Sequence, residues 1–184
     1  MARLIMWNLI SLDGFIEGPN RDISWHNDVW GRELEQLSLE QLNAAGGLMF
    51  GRITYELMAN YWPTAQGEGD VAGFMNAQPK YVFSRTLKSS DWQNTQLFSD
   101  DVAATVTRLK RDTAKDIFIF GSAGLCADLI PHGLIDEFRI GVCPVILGSG
   151  TPLFKPAAER VGLKLIDGRP RSTGIVINRY LPRA

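Results

Sequence analysis

The chain has 184 residues, enough for one domain with a continuous core, and its 45% hydrophobic and 21% charged residues exclude a disordered, collagen-like or disulfide-stapled chain. With 19 Lys and Arg against 20 Asp and Glu the net charge is −1, so no overall positive field would gather nucleic acid or an anionic membrane. Any anion site must be local.

Leu4 to Ile10 is an almost unbroken apolar run closed by Ser11-Leu12-Asp13-Gly14, which reads as a strand buried on both faces and ending in a turn. The run is too short to span a bilayer and carries no cleavage site, so a cytoplasmic location is the default expectation. A polar loop around Pro19, Asn20 and Asp22 leads to Val29, Trp30, Leu34, Leu37 and Leu42, a helical rhythm that should stop at Gly46-Gly47. Leu48-Met49-Phe50 reads as a second buried strand. It passes through Gly51-Arg52 into a helix with Tyr55, Met58, Ala59 and Trp62 on one face, ended by Pro63. Residues 64–73, with three glycines and two acids, read as a surface loop.

Lys80 to Ser84 and, more weakly, Thr95 to Phe98 have strand character. Ser99 or Asp100 can cap a helix striped by Val102, Val106 and Leu109. Ile117 to Phe120 is a buried strand that passes through Gly121-Ser122-Ala123-Gly124 into a short helix. Beyond Gly133 helices disappear: Ile135 to Val145 is strand-like, and Leu163 to Asp167 and Gly174 to Leu181 form a hairpin. Alternating strand and helix with an antiparallel end predicts a single α/β domain over residues 1–184, a mixed, mostly parallel sheet with helices on both faces. Ligands of such sheets collect beyond the carboxyl ends of the strands.

Gly121 to Gly124 joins a strand to a helix, where glycine lets backbone approach a phosphate, although the spacing is not GxGxxG. Gly51-Arg52 opens a helix in the same way, and Ser84-Arg85-Thr86 ends a strand with an arginine between two hydroxyls, donors suited to an anion. Asp13 follows a buried strand and Glu137 begins another. Either carboxylate could orient a heterocycle or pass a proton, or serve only as a turn or surface residue. Cys126 and Cys143 read as core thiols, and His26 and His132 have no companions for a metal or a dyad. Trp25, Trp30 and Trp62 suit a core or pocket wall.

Together with Tyr61-Trp62-Pro63, Leu134 to Glu137 and Pro144 to Gly150, these segments resemble, in order, the dihydrofolate reductase-like family, in the branch of the reductase domain of the bacterial riboflavin-biosynthesis deaminase/reductase. The resemblance implies a three-layer fold with about eight strands and an NADPH site at the carboxyl edge. Gly51, Arg52 and Thr54 would face the pyrophosphate and 2′-phosphate. Ser84, Arg85 and Thr86 would hold the adenosine 2′-phosphate end, and Gly121, Ser122, Ala123, Gly124 and Leu125 would cradle the pyrophosphate. Leu12, Gly14, Phe15 and Ile16 would close over the nicotinamide, with Asp13 and Glu137 as substrate-side catalytic carboxylates. Glu33 or Glu35 lies in the helix that carries a pterin-binding carboxylate in the folate enzymes. The family's glycine pair implies a cis bond between Gly121 and Ser122. No zinc deaminase pattern is present, and Phe15 stands where the riboflavin reductases have a basic residue. The expected activity is hydride transfer from NADPH to a small heterocycle such as a pterin or pyrimidine, by a homodimer, with neither nucleic acid nor membrane as partner. The alternatives are a nucleotide-binding module without turnover and a 5-amino-6-(5-phosphoribosylamino)uracil reductase.

Overall fold

The computed structural model describes residues 1–156 and 159–183. Eight strands form one sheet: β1 (Leu4–Ile10), β3 (Ala45–Gly51), β4 (Lys80–Phe83), β5 (Thr95–Phe98), β6 (Asp116–Phe120), β7 (Glu137–Val142), β9 (Leu163–Pro170) and β10 (Val176–Pro182). Their order is β5-β4-β3-β6-β1-β7-β10-β9, parallel from β5 to β7 and antiparallel from there to the edge. Two short strands, β2 (Phe15–Glu17) and β8 (Thr151–Pro152), pair in a second small sheet that the sequence did not announce.

Strand β1 lies between β6 and β7, and alternate residues face opposite layers. Ile5 and Trp7 pack with Leu48, Phe50 and Phe118, while Leu4 and Met6 pack with Met49, Ile117 and Ile119. Both faces are covered, so the run can be apolar throughout. The first layer is closed by α1 (Arg32–Ala44), which buries Leu34, Ser38, Gln41 and Leu42 on one face. The second is closed by α4 (Val102–Asp112) and α5 (Ala123–Leu129) through Val106, Leu109, Leu125 and Leu129. Helix α2 is Arg52–Tyr61.

Three local expectations change. Gly46 and Gly47 lie inside β3 instead of ending a helix. A Cβ on Gly47 would sit 2.4 Å from the Tyr81 ring, so close packing, not helix termination, selects glycine there. The stretch read as a loop over 64–73 contains the start of α3 (Gly69–Ala77), whose Val71 and Met75 enter the core. Two glycines hid that helix, which tertiary packing stabilises against propensity. The cap of α4 is Asp101, not Ser99 or Asp100: its carboxylate accepts the Ala104 N–H at 3.1 Å.

Candidate functional site

Because β3, β4 and β6 are parallel, the turns leaving them emerge at one edge. Gly51, Arg52 and Thr54, then Ser84, Arg85 and Thr86, then Ser122, Ala123, Gly124 and Leu125 wall a cleft of about 750 Å³ with Ile16 on its rim. Two of the turns brace each other. The Ser122 N–H donates to Thr54 Oγ1 at 3.0 Å, and the Gly51 N–H donates to Ser122 Oγ at 2.8 Å. Gly121 stands behind this brace. Its φ is +64° and a Cβ would meet Thr54 Cγ2 at 2.9 Å, so glycine is required on both counts.

The Gly121–Ser122 bond is not cis; among the described residues every peptide bond is trans. Two consecutive left-handed residues, Gly121 at φ 64° and Ser122 at φ 61°, make the reversal, and the serine side chain is held by the Gly51 N–H.

The cations differ in how free they are. Arg52 gives Nη1 to both Glu56 oxygens, at 2.9 and 3.0 Å, in an exposed pair one helical turn apart. Such pairs contribute about 1 kcal/mol at most, so an incoming anion displaces Glu56 at small cost. Arg85 is exposed and has no hydrogen-bonded partner among the described residues. Its loop is ordered by Ser84 Oγ, which accepts the N–H groups of Thr86 at 3.2 Å and Leu87 at 2.9 Å. Neither α2 nor α5 has a side-chain cap, so N–H groups of both first turns are left for other acceptors.

The segment after β1 is a tight turn. Gly14 N–H donates to Ser11 O at 3.0 Å with Gly14 at φ 90°, and Phe15 N–H donates to Ser11 Oγ at 2.9 Å. Only Ile16 of this segment lines the cleft; Leu12, Gly14 and Phe15 do not, and Leu12 is exposed. Asp13 is fully exposed and spends both oxygens on backbone, accepting Leu147 N–H at 3.1 Å and Gly148 N–H at 2.7 Å. Hydrogen bonding from Ser11, then from these amides, holds its carboxyl below the usual aspartate range. It is an ionised clamp between the β1–β2 turn and the loop after β7.

Glu137 is placed elsewhere. It pairs in register with Ile5 at the amino end of the sheet, whereas the cleft lies beyond the carboxyl ends. From Ile5 to Ile10 at about 3.3 Å per residue the separation is roughly 16 Å. Glu137 is fully buried and accepts Arg139 Nε and Arg179 Nε, each at 2.7 Å, and Arg3 Nη1 at 3.0 Å. Burial alone would raise this carboxyl, but the hydrogen bonds and charges of Arg179 and Arg139 outweigh it and hold it below the ordinary range. Glu33 also lies outside the cleft: it accepts the Ser172 N–H at 2.8 Å and the Ser172 hydroxyl, tethering α1 to the β9–β10 turn. Glu35 is in the same first turn of α1 and does not line the cleft either.

The sequence reading missed Glu17, Asp100 and Asp128, the carboxylates that do line the cleft, and Phe83 and Phe98, its aromatic floor. The two rings end adjacent parallel strands and stack with centroids 5.5 Å apart. Their positions at the ends of two strand-like runs were the available signal; the carboxylates had none, since they sit on unrelated segments.

The strand order, the helices on both faces and a cleft walled by three strand-to-helix or strand-to-loop turns make this a dihydrofolate reductase-like fold. Within it, residues 2–177 match the RibD C-terminal domain family model, and the chain belongs to that family. Uncharacterized protein YyaP of Bacillus subtilis (strain 168) is 34% identical over 178 residues, covering 95% of this chain and 92% of its own. A riboflavin biosynthesis-like protein of Shewanella sp. PV-4 superposes with a TM-score of 0.83 at 18% identity, both chains being fully covered. The diaminohydroxyphosphoribosylaminopyrimidine deaminase/5-amino-6-(5-phosphoribosylamino)uracil reductase of Thermotoga maritima gives 0.72 at 14% identity, over 99% of this chain and 57% of that one. Dihydrofolate reductase of Enterococcus faecalis, solved with NADP(H), gives 0.66 at 12% identity over 99% and 97%.

Proposed function

We propose that this chain is an NADPH-dependent reductase that delivers hydride to a C=N or C=O bond of a small heterocycle of the pterin or pyrimidine kind. Membership of the RibD C-terminal domain family supports the reductase class. The observation that carries the cofactor is the braced pair of turns with Arg52 and Arg85 in one cleft. These donors fit a dinucleotide with a 2′-phosphate: an exposed Arg85, unpaired among the described residues, between two hydroxyls at one end, and the α2 and α5 turns for the diphosphate.

In this reading Gly51, Arg52, Thr54 and Ser122 to Leu125 bind the diphosphate, and Ser84, Arg85 and Thr86 bind the 2′-phosphate. When bound, the nicotinamide supplies the hydride. Ile16 covers the reacting end, and Leu12, Gly14 and Phe15 set the turn that carries it. Asp13 acts by pinning that turn to Leu147 and Gly148, a positioning role matched to its exposed, ionised state. Single-turnover NADPH oxidation across a panel of pterins, pyrimidines and quinonoid compounds tests the proposal. Hydride transfer to one class supports it; tight NADPH binding with no transfer to any would favour a nucleotide-binding module.

A further inference from the structure

Glu137 does not serve the cleft, yet it gathers three guanidinium groups at the opposite edge of the sheet. Above it lies a second cavity of about 280 Å³, between the last turns of α1 and the sheet face of β7, β10 and β9. Phe118, Leu37 and Ile177 give it an apolar floor. Five arginines, Arg3, Arg139, Arg169, Arg171 and Arg179, line it against three carboxylates, of which Asp116 and Asp167 are paired with Arg3 and Arg169 and Glu40 accepts from Gln36 Nε2 at 3.2 Å.

The hydrogen-bond pattern leaves donors in surplus there. Arg3 spends its guanidinium on Asp116 and Glu137. Arg139 and Arg179 each donate Nε to Glu137, and neither gives an Nη group to that carboxylate. One of these, Arg139 Nη1, donates to Gln41 Oε1 at 3.1 Å. Among the described residues Arg139 Nη2 and both Nη groups of Arg179 have no hydrogen-bonded acceptor, and Arg169 uses only Nε, on Asp167 at 3.1 Å. Arg171 reaches Glu33 only at 3.9 Å, and its buried Nε has no partner among the described residues. Gln41, almost fully buried in the wall, also has an amide nitrogen without an acceptor. Guanidinium groups are held in place by a buried carboxylate behind them and still have donors to give, the arrangement that recognises multi-oxygen anions by forked hydrogen bonds. Because Glu137 fixes Arg139 and Arg179 beforehand, little of their side-chain entropy is lost when an anion arrives, and Arg169 and Arg171 close the site from the β9 side.

We propose that this amino-edge cavity is a second binding site, for a small multi-oxygen anion of the phosphate or carboxylate type, separate from the carboxyl-edge cleft. The probes are inorganic phosphate and malonate, titrated calorimetrically in low-chloride buffer into the full chain carrying Arg52→Ala with Arg85→Ala, so that both arginines of the cleft are removed. One saturable site for either probe is expected. Arg169→Gln with Arg171→Gln, which leaves the Glu137 cluster intact, should weaken it at least tenfold, and thermal denaturation should show the double variant folded. Tighter phosphate than malonate identifies a phosphoryl ligand, and the reverse a carboxylate; both support the site. No saturation by tens of millimolar of either probe, or an affinity untouched by the double substitution, overturns it.

Discussion

Replacing Glu137 by glutamine keeps the shape of the side chain and removes its charge. The structure gives the consequence directly, because the carboxylate is fully buried and is shared by Arg139, Arg179 and Arg3 at 2.7, 2.7 and 3.0 Å. The glutamine oxygen can accept one or two of these bonds, while its NH₂ faces guanidinium donors and satisfies none. Breaking a buried ion pair by removing one partner destabilises by roughly 3–5 kcal/mol, since the opposite charge is left uncompensated. In a chain of this size that lowers the melting temperature by roughly 6–20 °C. Circular dichroism in urea and on heating, read beside NADPH affinity, checks the argument. Large destabilisation with unchanged affinity in the folded protein is the expected result. A loss below about 1 kcal/mol, or selective loss of hydride transfer with stability intact, would refute the structural role and return Glu137 to the chemistry. The pH dependence has a definite sign: the folded carboxyl is depressed, so its stabilising effect is complete above the unfolded glutamate value of 4.5 and is lost as pH falls through the folded one.

Arg85→Ala should weaken NADPH by about 1.5–3 kcal/mol and leave NADH nearly unchanged, by fluorescence titration of both; equal losses would remove Arg85 from the 2′-phosphate. Gly121→Ala forces a Cβ to within 2.9 Å of Thr54 at positive φ, and should cost about 1–2 kcal/mol in chemical denaturation while loosening the cleft. Burial depresses His26 to about 4, so stability present above the unfolded value of 6.5 is lost as pH falls from there toward 4, by no more than about 3 kcal/mol; His26→Gln should flatten that slope. The β9 edge strand exposes Leu165 and Ile166, with Val161 beside it, and light scattering at micromolar concentration should give a dimer mass; a monomer would leave this apolar edge unexplained.

Hydrophobic period and glycine punctuation already carry the central strands and the edge at which their turns collect. Leu4 to Ile10 and Ile117 to Phe120 are strands because an unbroken apolar run needs burial on both faces, and the glycine, arginine and serine turns after β3, β4 and β6 fall at one edge because parallel strands share a direction. Three features arise from long-range packing. Helix α3 exists because Val71 and Met75 find a core, not because its glycines favour a helix. The Gly121–Ser122 turn depends on a serine hydroxyl meeting the Gly51 N–H from 71 positions away. Glu137 and Asp13 both stand beside strands in the sequence, yet one is locked among arginines at the amino edge and the other clamps an exposed loop. Local sequence states which residue types border a strand; which end of the sheet they occupy, and which charges meet them there, follows from the pairing of distant strands, and that pairing exists only in the folded chain.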